Sequence, residues 1–537
     1  MSSSLRRARG SAAAIGAVLA CLALAGPAAA APDPLAWTAC GPAGAQCATA
    51  TVPKDYDDAS AGTLNLAVAK SPATDPSTRI GSLFLNFGGP GASMADVVEA
   101  LGPALFPVLN ARFDIVGVDP RGTGGSVPVD CKANQETQGV YSQPFTTPFT
   151  LDVAALEAKD RGYIARCIEL NGDILPYLST ANVARDLNTL REAVGDDKMS
   201  YLGFSYGTFL GATLQSLFPG KTRAVVLDGA VDPDEYINDP LSHLDEQSAG
   251  FERAISRFMS ACAADQTGCG FGGGDPIGTT DALIRQADAT PIPASNAPGR
   301  PVDGDDIRAA LVQEVYSKVL WPELAGALAK LSQGDGAVIR AINDVRVYGR
   351  NADGTYDPGS DRYFLLSAGE QHYPRDVQRF LVAGRQSYFD YDHAFWNHGY
   401  SELSWGLYPV RALDTFDGPF RTASEDPTTL VVGTLYDAAT PYKEAQRLVR
   451  QLGNARLLTM TGDGHTAYDG DPRDGYNSQC ADKAIEAYLF DLAVPAPGTE
   501  CRQDQPAFPP PPPTANALSR RAPDIVVAPH TRPLPVP

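Results

Sequence analysis

The feature that most constrains this chain is Gly203-Phe204-Ser205-Tyr206-Gly207, set between two segments of opposite habit. Met199 to Phe204 is a short apolar run of strand type, and residues 206–218 read as a helix ended by Pro219-Gly220. Short apolar strands that alternate with helices point to a parallel sheet. The rhythm recurs on both sides. Gly81 to Phe87 and Phe113 to Val118 are apolar runs stopped by glycine or proline. Val183, Leu187, Leu190 and Val194 line one face of a helix. Ala224 to Leu227, Thr429 to Gly433 and Arg456 to Met460 are further strands, with helices expected over 441–452 and 479–492. The fold class expected is α/β, with a mostly parallel sheet covered on both faces.

The alternation fails over residues 236–424, where helical runs (251–262, 306–318, 322–332, 376–384) are scattered among Pro and aromatic residues. This reads as a large, mainly helical insertion between two parts of one core, 31–235 and 425–502. Residues 503–537 form a Pro-rich tail, in which Phe508 is followed by five prolines. Residues 1–30 read as a signal peptide: Arg6, Arg7 and Arg9, an apolar stretch from Ala12 to Ala25, and small residues at Ala28 to Ala30. A lipidated envelope form through Cys21 is the alternative to a secreted one. No other stretch is long and apolar enough to span a bilayer. Loss of the signal removes one of nine cysteines, and the remaining eight suit four disulfides in an oxidising space. Sequence neighbours suggest 40–47, 131–167, 262–269 and 480–501, among 105 possible pairings.

Charge narrows the partners. With 43 Lys+Arg against 63 Asp+Glu the net charge is −20, and loss of the signal's three arginines takes it to −23. Such a chain lacks the basic face that nucleic acid or anionic lipid requires.

The residues suited to chemistry follow strand ends. Ser205 sits on the strand-to-helix turn, where its hydroxyl stands above the sheet and the helix N-terminus favours developing negative charge. A nucleophilic serine in such a fold needs an acid and then a histidine later in the chain. His465, in Gly462-Asp463-Gly464-His465, directly follows the last strand, whereas His243, His372, His393 and His398 fall in the insertion and His530 in the tail. Asp437 follows the strand 429–434 and can orient the imidazole; Asp463, only two residues from His465, is its rival. Gly88-Gly89-Pro90-Gly91 follows the first of the strands listed above, and its Gly89 N–H, with that of Tyr206, would hold an oxyanion. The phosphate-cradling patterns GxGxxG and GxxxxGK[ST] are missing there, and no C-x-x-C or Cys/His cluster has zinc spacing. No metal and no organic cofactor is expected.

Together these stretches resemble the α/β-hydrolase peptidases related to prolyl iminopeptidase, and most of all the secreted actinobacterial tripeptidyl aminopeptidases. The likeness runs through Gly88 to Gly91, Phe113 to Gly125 with Asp119-Pro120-Arg121-Gly122, Thr180 to Gly195, Tyr201 to Gly211, Val226 to Gly229 with Asp232-Pro233, Asp437, and Gly464-His465. It covers about residues 35–235 and 425–500 and is weak across the insertion. It implies an α/β-hydrolase fold with Ser205 as nucleophile, Asp437 as orienting acid, His465 as base and residues 236–424 as a cap. It implies a secreted exopeptidase that releases tripeptides or dipeptides from free N-termini, with peptides as partners. The family's cap carries a Cys and an acidic residue two apart. Here the matching stretch is Leu366 to Glu370, with Ala368 in place of the Cys and Glu370 as the carboxylate that would pair with a substrate α-ammonium. Relatives usually have proline at Phe87 and glycine at Ala92, two departures beside the oxyanion loop. Cap aromatics, among them Tyr388, Phe389, Tyr391, Phe395, Trp396, Tyr400 and Trp405, either line a pocket or form cap core. A carboxylesterase or lipase would carry the same triad, and an inactive hydrolase scaffold used for binding is the reading outside the enzymes. The oligomeric state stays open.

Overall fold

A computed structural model describes residues 34–41, 43–142, 148–149, 151–393, 399–470, 477–504 and 506–509. The signal peptide with Cys21, His398, His530, Phe395, Trp396 and most of the tail lie outside the described residues. Ten strands form one sheet: β1 (Thr38–Cys40), β2 (Ala45–Pro53), β3 (Thr63–Ser71), β4 (Gly81–Asn86), β5 (Phe113–Val118), β6 (Met199–Phe204), β7 (Thr222–Asp228), β8 (Thr429–Tyr436), β9 (Ala455–Asp463) and β10 (Glu500–Arg502). Their order is β1-β2-β3-β5-β4-β6-β7-β8-β9-β10. The three N-terminal strands and β5 pair antiparallel; from β5 to β10 every pair is parallel. The fold is that of an α/β hydrolase, as expected.

Alternation within each strand explains why both faces are covered. Phe84, Val116, Tyr201, Val225 and Leu227 turn into one core with the helices Thr180–Ala193, Tyr206–Leu217 and Tyr442–Leu452. Leu83, Leu85, Ile115, Leu202 and Val226 turn into the other, with Ala95–Leu101 and Gln479–Asp491. Apolar residues on both faces leave a parallel strand no solvent side, which is why these strands read as continuous apolar runs.

Between β7 and β8 the chain is helical, from Pro233–Asn238 through Leu403–Leu407. The expected run 251–262 is part of a longer helix, Pro240–Ala264, and 376–384 lies within Val377–Asp390. The expected 306–318 ends earlier, at Glu314, where the chain turns before Tyr316. The insertion has its own apolar centre around Phe251, Phe258, Leu311, Trp321 and Leu328, which extends to Ala438 and Ala439 of the core. Trp405 and Tyr400 are core residues, whereas Phe389 is exposed. Phe508 also packs into the insertion's centre, so the first residues assigned to the tail are bound to the fold by an apolar ring that finds Phe258. The four disulfides join Cys40–Cys47, Cys131–Cys167, Cys262–Cys269 and Cys480–Cys501, the sequence neighbours. Among the described residues no helix is long and apolar enough to cross a membrane.

The sheet's order decides where a site can form. β4 is flanked by β5 on one side and β6 on the other, so the chain reverses its direction of growth there. Loops diverge at the C-terminal end of such a point and leave a crevice.

Candidate active site

Ser205 follows β6 with φ 56° and ψ −126°, a backbone that non-glycine residues adopt only under constraint. Its neighbours supply that constraint. The Ser205 N–H donates to Asp228 O at 2.9 Å, and its carbonyl accepts from Thr208 N–H at 2.8 Å and from the Thr208 hydroxyl at 2.7 Å. The first N–H groups of the helix Tyr206–Leu217 have no partner within the helix, and the Tyr206 nitrogen would stand 3.3 Å from a Cβ at Gly88 in the β4 loop. The β4 loop closes on this turn. A Cβ at Gly88 would stand 2.8 Å from Phe204 O and 2.9 Å from Ser205 Cβ, so only glycine permits the approach. The Gly88 N–H is taken by Asn86 Oδ1 at 2.9 Å, while no hydrogen bond among the described residues uses the Gly89 N–H. Phe87 does not reach the mouth of the site: its ring is buried against Phe204 and Phe106.

One residue outside this turn, Asp119, fixes the loop that follows Gly91. Asp119 Oδ1 accepts from the Ser93 hydroxyl (2.7 Å) and from the N–H groups of Met94 and Ala95 (2.8 Å each), and its Oδ2 accepts from Gly125 N–H at 2.8 Å. Arg121 makes a buried two-point bond to Asp186, at 2.8 and 2.6 Å. Asp119 is thus a brace for the loop after Gly91, and Arg121 ties the same segment to the helix Thr180–Ala193.

Asp437 follows β8 and His465 follows β9. Both Asp437 oxygens lie 3.0 Å from His465 Nδ1. Asp437 is fully buried, and its carboxylate also accepts from Ala439 N–H, Thr440 N–H and the Thr440 hydroxyl at 2.9, 2.8 and 3.0 Å. That leaves the imidazole's other nitrogen, Nε2, buried and without a hydrogen-bond partner among the described residues. Burial works against protonation of His465. The Asp437 carboxylate, with Asp228 behind it, more than offsets this and raises the pKa above the ordinary histidine value. A Cβ at Gly229 would stand 2.9 Å from His465 Cε1, so glycine after β7 makes room for the ring.

Asp463, the rival acid, turns away: its carboxylate is bound by Arg257 and lies 3.5 Å from Lys318 Nζ. Asp228 was not singled out from the sequence. Its side chain accepts from the N–H groups of Ala467 (3.0 Å) and Tyr468 (2.8 Å) and so holds the loop that follows His465. Burial lifts its pKa to about 6. Only its place at the end of β7, beside two other strand-end residues, hinted at this role.

Glu370 is buried as well, at 2% exposure. Its Oε1 accepts from the Thr180 hydroxyl and its Oε2 from Thr180 N–H, each at 2.8 Å. The Thr180 hydroxyl is also 2.6 Å from the hydroxyl of Tyr206, the residue after Ser205. Burial pushes Glu370 up to about 7. With Gly369, His372, Tyr373, Arg411, Ala412 and Thr415 it lines an open cavity of about 450 Å³.

Comparison with known proteins gives this arrangement its family. Residues 82–269 match the "alpha/beta hydrolase fold" family and residues 408–501 the "TAP-like protein" family. Serine protease Hip1 of Mycobacterium tuberculosis (strain ATCC 25618 / H37Rv) is 30% identical over 494 residues, 87% of this chain and 91% of that protein. The chain belongs to the TAP-like α/β-hydrolase family. Carboxylesterase B of the same strain is 32% identical over 472 residues, 85% of this chain and 86% of its own length. A tripeptidyl aminopeptidase of Streptomyces lividans is 28% identical over 463 residues, with 85% and 83% covered. As a TAP-like hydrolase the chain is a serine hydrolase.

Proposed function

We propose that this chain is an exported serine exopeptidase that releases short peptides, tripeptides or dipeptides, from free N-termini. The observation that carries the catalytic part is His465, whose Nδ1 is held by Asp437 and whose Nε2 is buried without a partner, among loops that also include Ser205. In this reading Ser205 Oγ attacks the scissile carbonyl while His465 Nε2 takes its proton. Asp437 keeps Nδ1 protonated and steadies the imidazolium. The N–H groups of Gly89 and Tyr206 hold the oxyanion. The imidazolium then protonates the leaving amine, and water, activated by His465, hydrolyses the acyl-enzyme.

Restriction to free N-termini is assigned to Glu370. A desolvated carboxylate in a cavity wall favours a substrate ammonium and disfavours an acetylated end, which would leave the charge unpaired. The relatives named as a serine protease and a tripeptidyl aminopeptidase support a peptide substrate. Residues 236–424 are assigned to a cap between core segments 31–235 and 425–502. Export rests on the 1–30 signal and agrees with four disulfides. The relative named Carboxylesterase B favours a second reading, an esterase with the same triad.

One assay separates them: a tripeptide chromogenic amide with a free amine beside its N-acetylated twin. The expected outcome is preference for the free amine by at least about 10-fold, reduced in Glu370→Gln and absent with all turnover in Ser205→Ala. Equal turnover of the twins overturns the N-terminal reading, and hydrolysis of simple esters alone establishes the esterase.

A further inference from the structure

The helix Pro240–Ala264 opens the insertion, yet one of its faces is spent on loops of the core. Gln247 Nε2 donates to Ala439 O at 2.7 Å. At Gly250 a Cβ would stand 2.4 Å from Ala438 O, so the helix lies directly on that loop. An Arg253 guanidinium nitrogen donates to Asp437 O at 3.1 Å. Arg257 binds the Asp463 carboxylate through both Nε and a terminal nitrogen, and its guanidinium lies 3.4 Å over the Tyr436 ring. Residues 247, 250, 253 and 257 are three or four apart, so they share one side of the helix. That side touches Tyr436 to Ala439, which carries Asp437, and Asp463, two residues before His465.

Other insertion residues grip the same histidine loop. The His465 N–H donates to Tyr316 O at 2.6 Å, and the Tyr316 ring meets the imidazole edge-on, 5.8 Å between centres. Lys318 Nζ lies 3.5 Å from Asp463 and donates to Gln503 Oε1 at 3.0 Å, while Gln503 holds the Asp463 N–H and C=O at 3.1 and 2.9 Å. Asp463 is therefore fastened at its carboxylate by the insertion and at its backbone by the C-terminal segment. Among the described residues, the charged and titratable groups facing His465 and its loop include Asp437, Asp228, Asp463, Arg257, Lys318, Arg253, Tyr316 and Tyr436.

We infer that Arg257 is a positioning residue for the base: through Asp463 it fixes the loop that aims His465, so residues 240–264 form part of the catalytic frame as well as of the insertion. The inference rests on the proposed triad. Cutting the Arg257 fork frees the loop and leaves the Asp463 charge without its main partner close to His465. A displacement of this kind weakens catalysis more than binding. It also strengthens the imidazolium, so the acid limb of the pH profile moves upward.

The test uses the full chain with Arg257→Gln, Arg257→Lys, Asp463→Asn and the Arg257→Gln/Asp463→Asn double variant. Readouts are kcat and KM, the acid limb of kcat/KM, and the rate of Ser205 labelling by a fluorophosphonate. Expected are a kcat loss of roughly 10- to 100-fold in Arg257→Gln, KM within about two-fold, and partial rescue in Arg257→Lys. The acid limb should move up in Arg257→Gln and return when Asp463 is neutralised. The double variant should be no worse than the worse single one, because both act on one link. Wild-type kcat, labelling rate and pH profile in Arg257→Gln overturn the inference while the triad stands. If Arg257→Gln does not fold, Asp463→Asn carries the test, and its wild-type kcat and labelling overturn the inference equally. If the wild-type protein is not labelled at Ser205, the triad itself fails.

Discussion

Glu370 and His465 are both buried, but burial acts on them in opposite directions. It raises the carboxyl of Glu370, which stands at about 7. It opposes the charge on His465, and Asp437 restores it. If Glu370 pairs with a substrate ammonium, it must be ionised to do so, and the α-amine, with an ordinary pKa of about 8, must be protonated. The ratio of kcat/KM for the free-amine amide over its acetylated twin should therefore rise as pH climbs through about 7 and fall again above about 8. Taking the ratio cancels His465, which serves both substrates. A ratio flat with pH in the wild type, measured at steady state from pH 5 to 9, would exclude Glu370 as the group that reads the amine. Ser205, Asp437 and His465 could be picked out as candidates in the sequence because each comes at or soon after the end of an apolar run, and strand ends are where such a fold gathers its chemistry. Asp228 lies at a strand end too, but it works by accepting two N–H groups from a loop that begins more than two hundred positions later, and local pattern carries no trace of that.

At the level of elements, the turn after β6 and the loop after β4 have to be considered together. Gly88 has φ +98°, and a side chain there meets Phe204 O and Ser205 Cβ. Gly88→Ala should lower kcat by about 100-fold, the scale of losing one oxyanion donor, and should also lower the unfolding temperature. Unchanged steady-state kinetics in this variant would mean that the β4 loop does not shape the site. The parallel strands were readable because burial on both faces makes each a short apolar block. The N-terminal antiparallel strands were not. β2 is Ala45–Pro53, rich in Ala and Thr, and β3 alternates buried and exposed positions, so neither forms such a block. The short β10 was missed for another reason: Glu500–Arg502 has a single buried side chain, Cys501, and is set beside β9 by its pairing and its disulfide.

For the whole molecule, that last crosslink tests how the edge of the sheet is held. Cys480–Cys501 closes a sequence separation of 21 and ties the helix Gln479–Asp491 to the sheet's edge strand. Replacing both cysteines by serine should cost about 3 kcal/mol on the chain-entropy scale, measurable as a lowered denaturation midpoint. A midpoint within error of wild type would show that β10 is held by its ladder alone. The insertion's helical character could be read from its runs, but its grip on Asp437 and Asp463 could not, because it depends on which helix face meets which loop. The order of the strands along the chain has a temporal consequence. β6 and Ser205 lie ahead of the insertion, and Asp437 and His465 lie behind it. During synthesis, a chain that has not yet emerged past β9 holds the serine without its base, and one that has not emerged past β8 lacks the acid as well. Under the proposed triad such a chain is chemically silent until its last core strands are made.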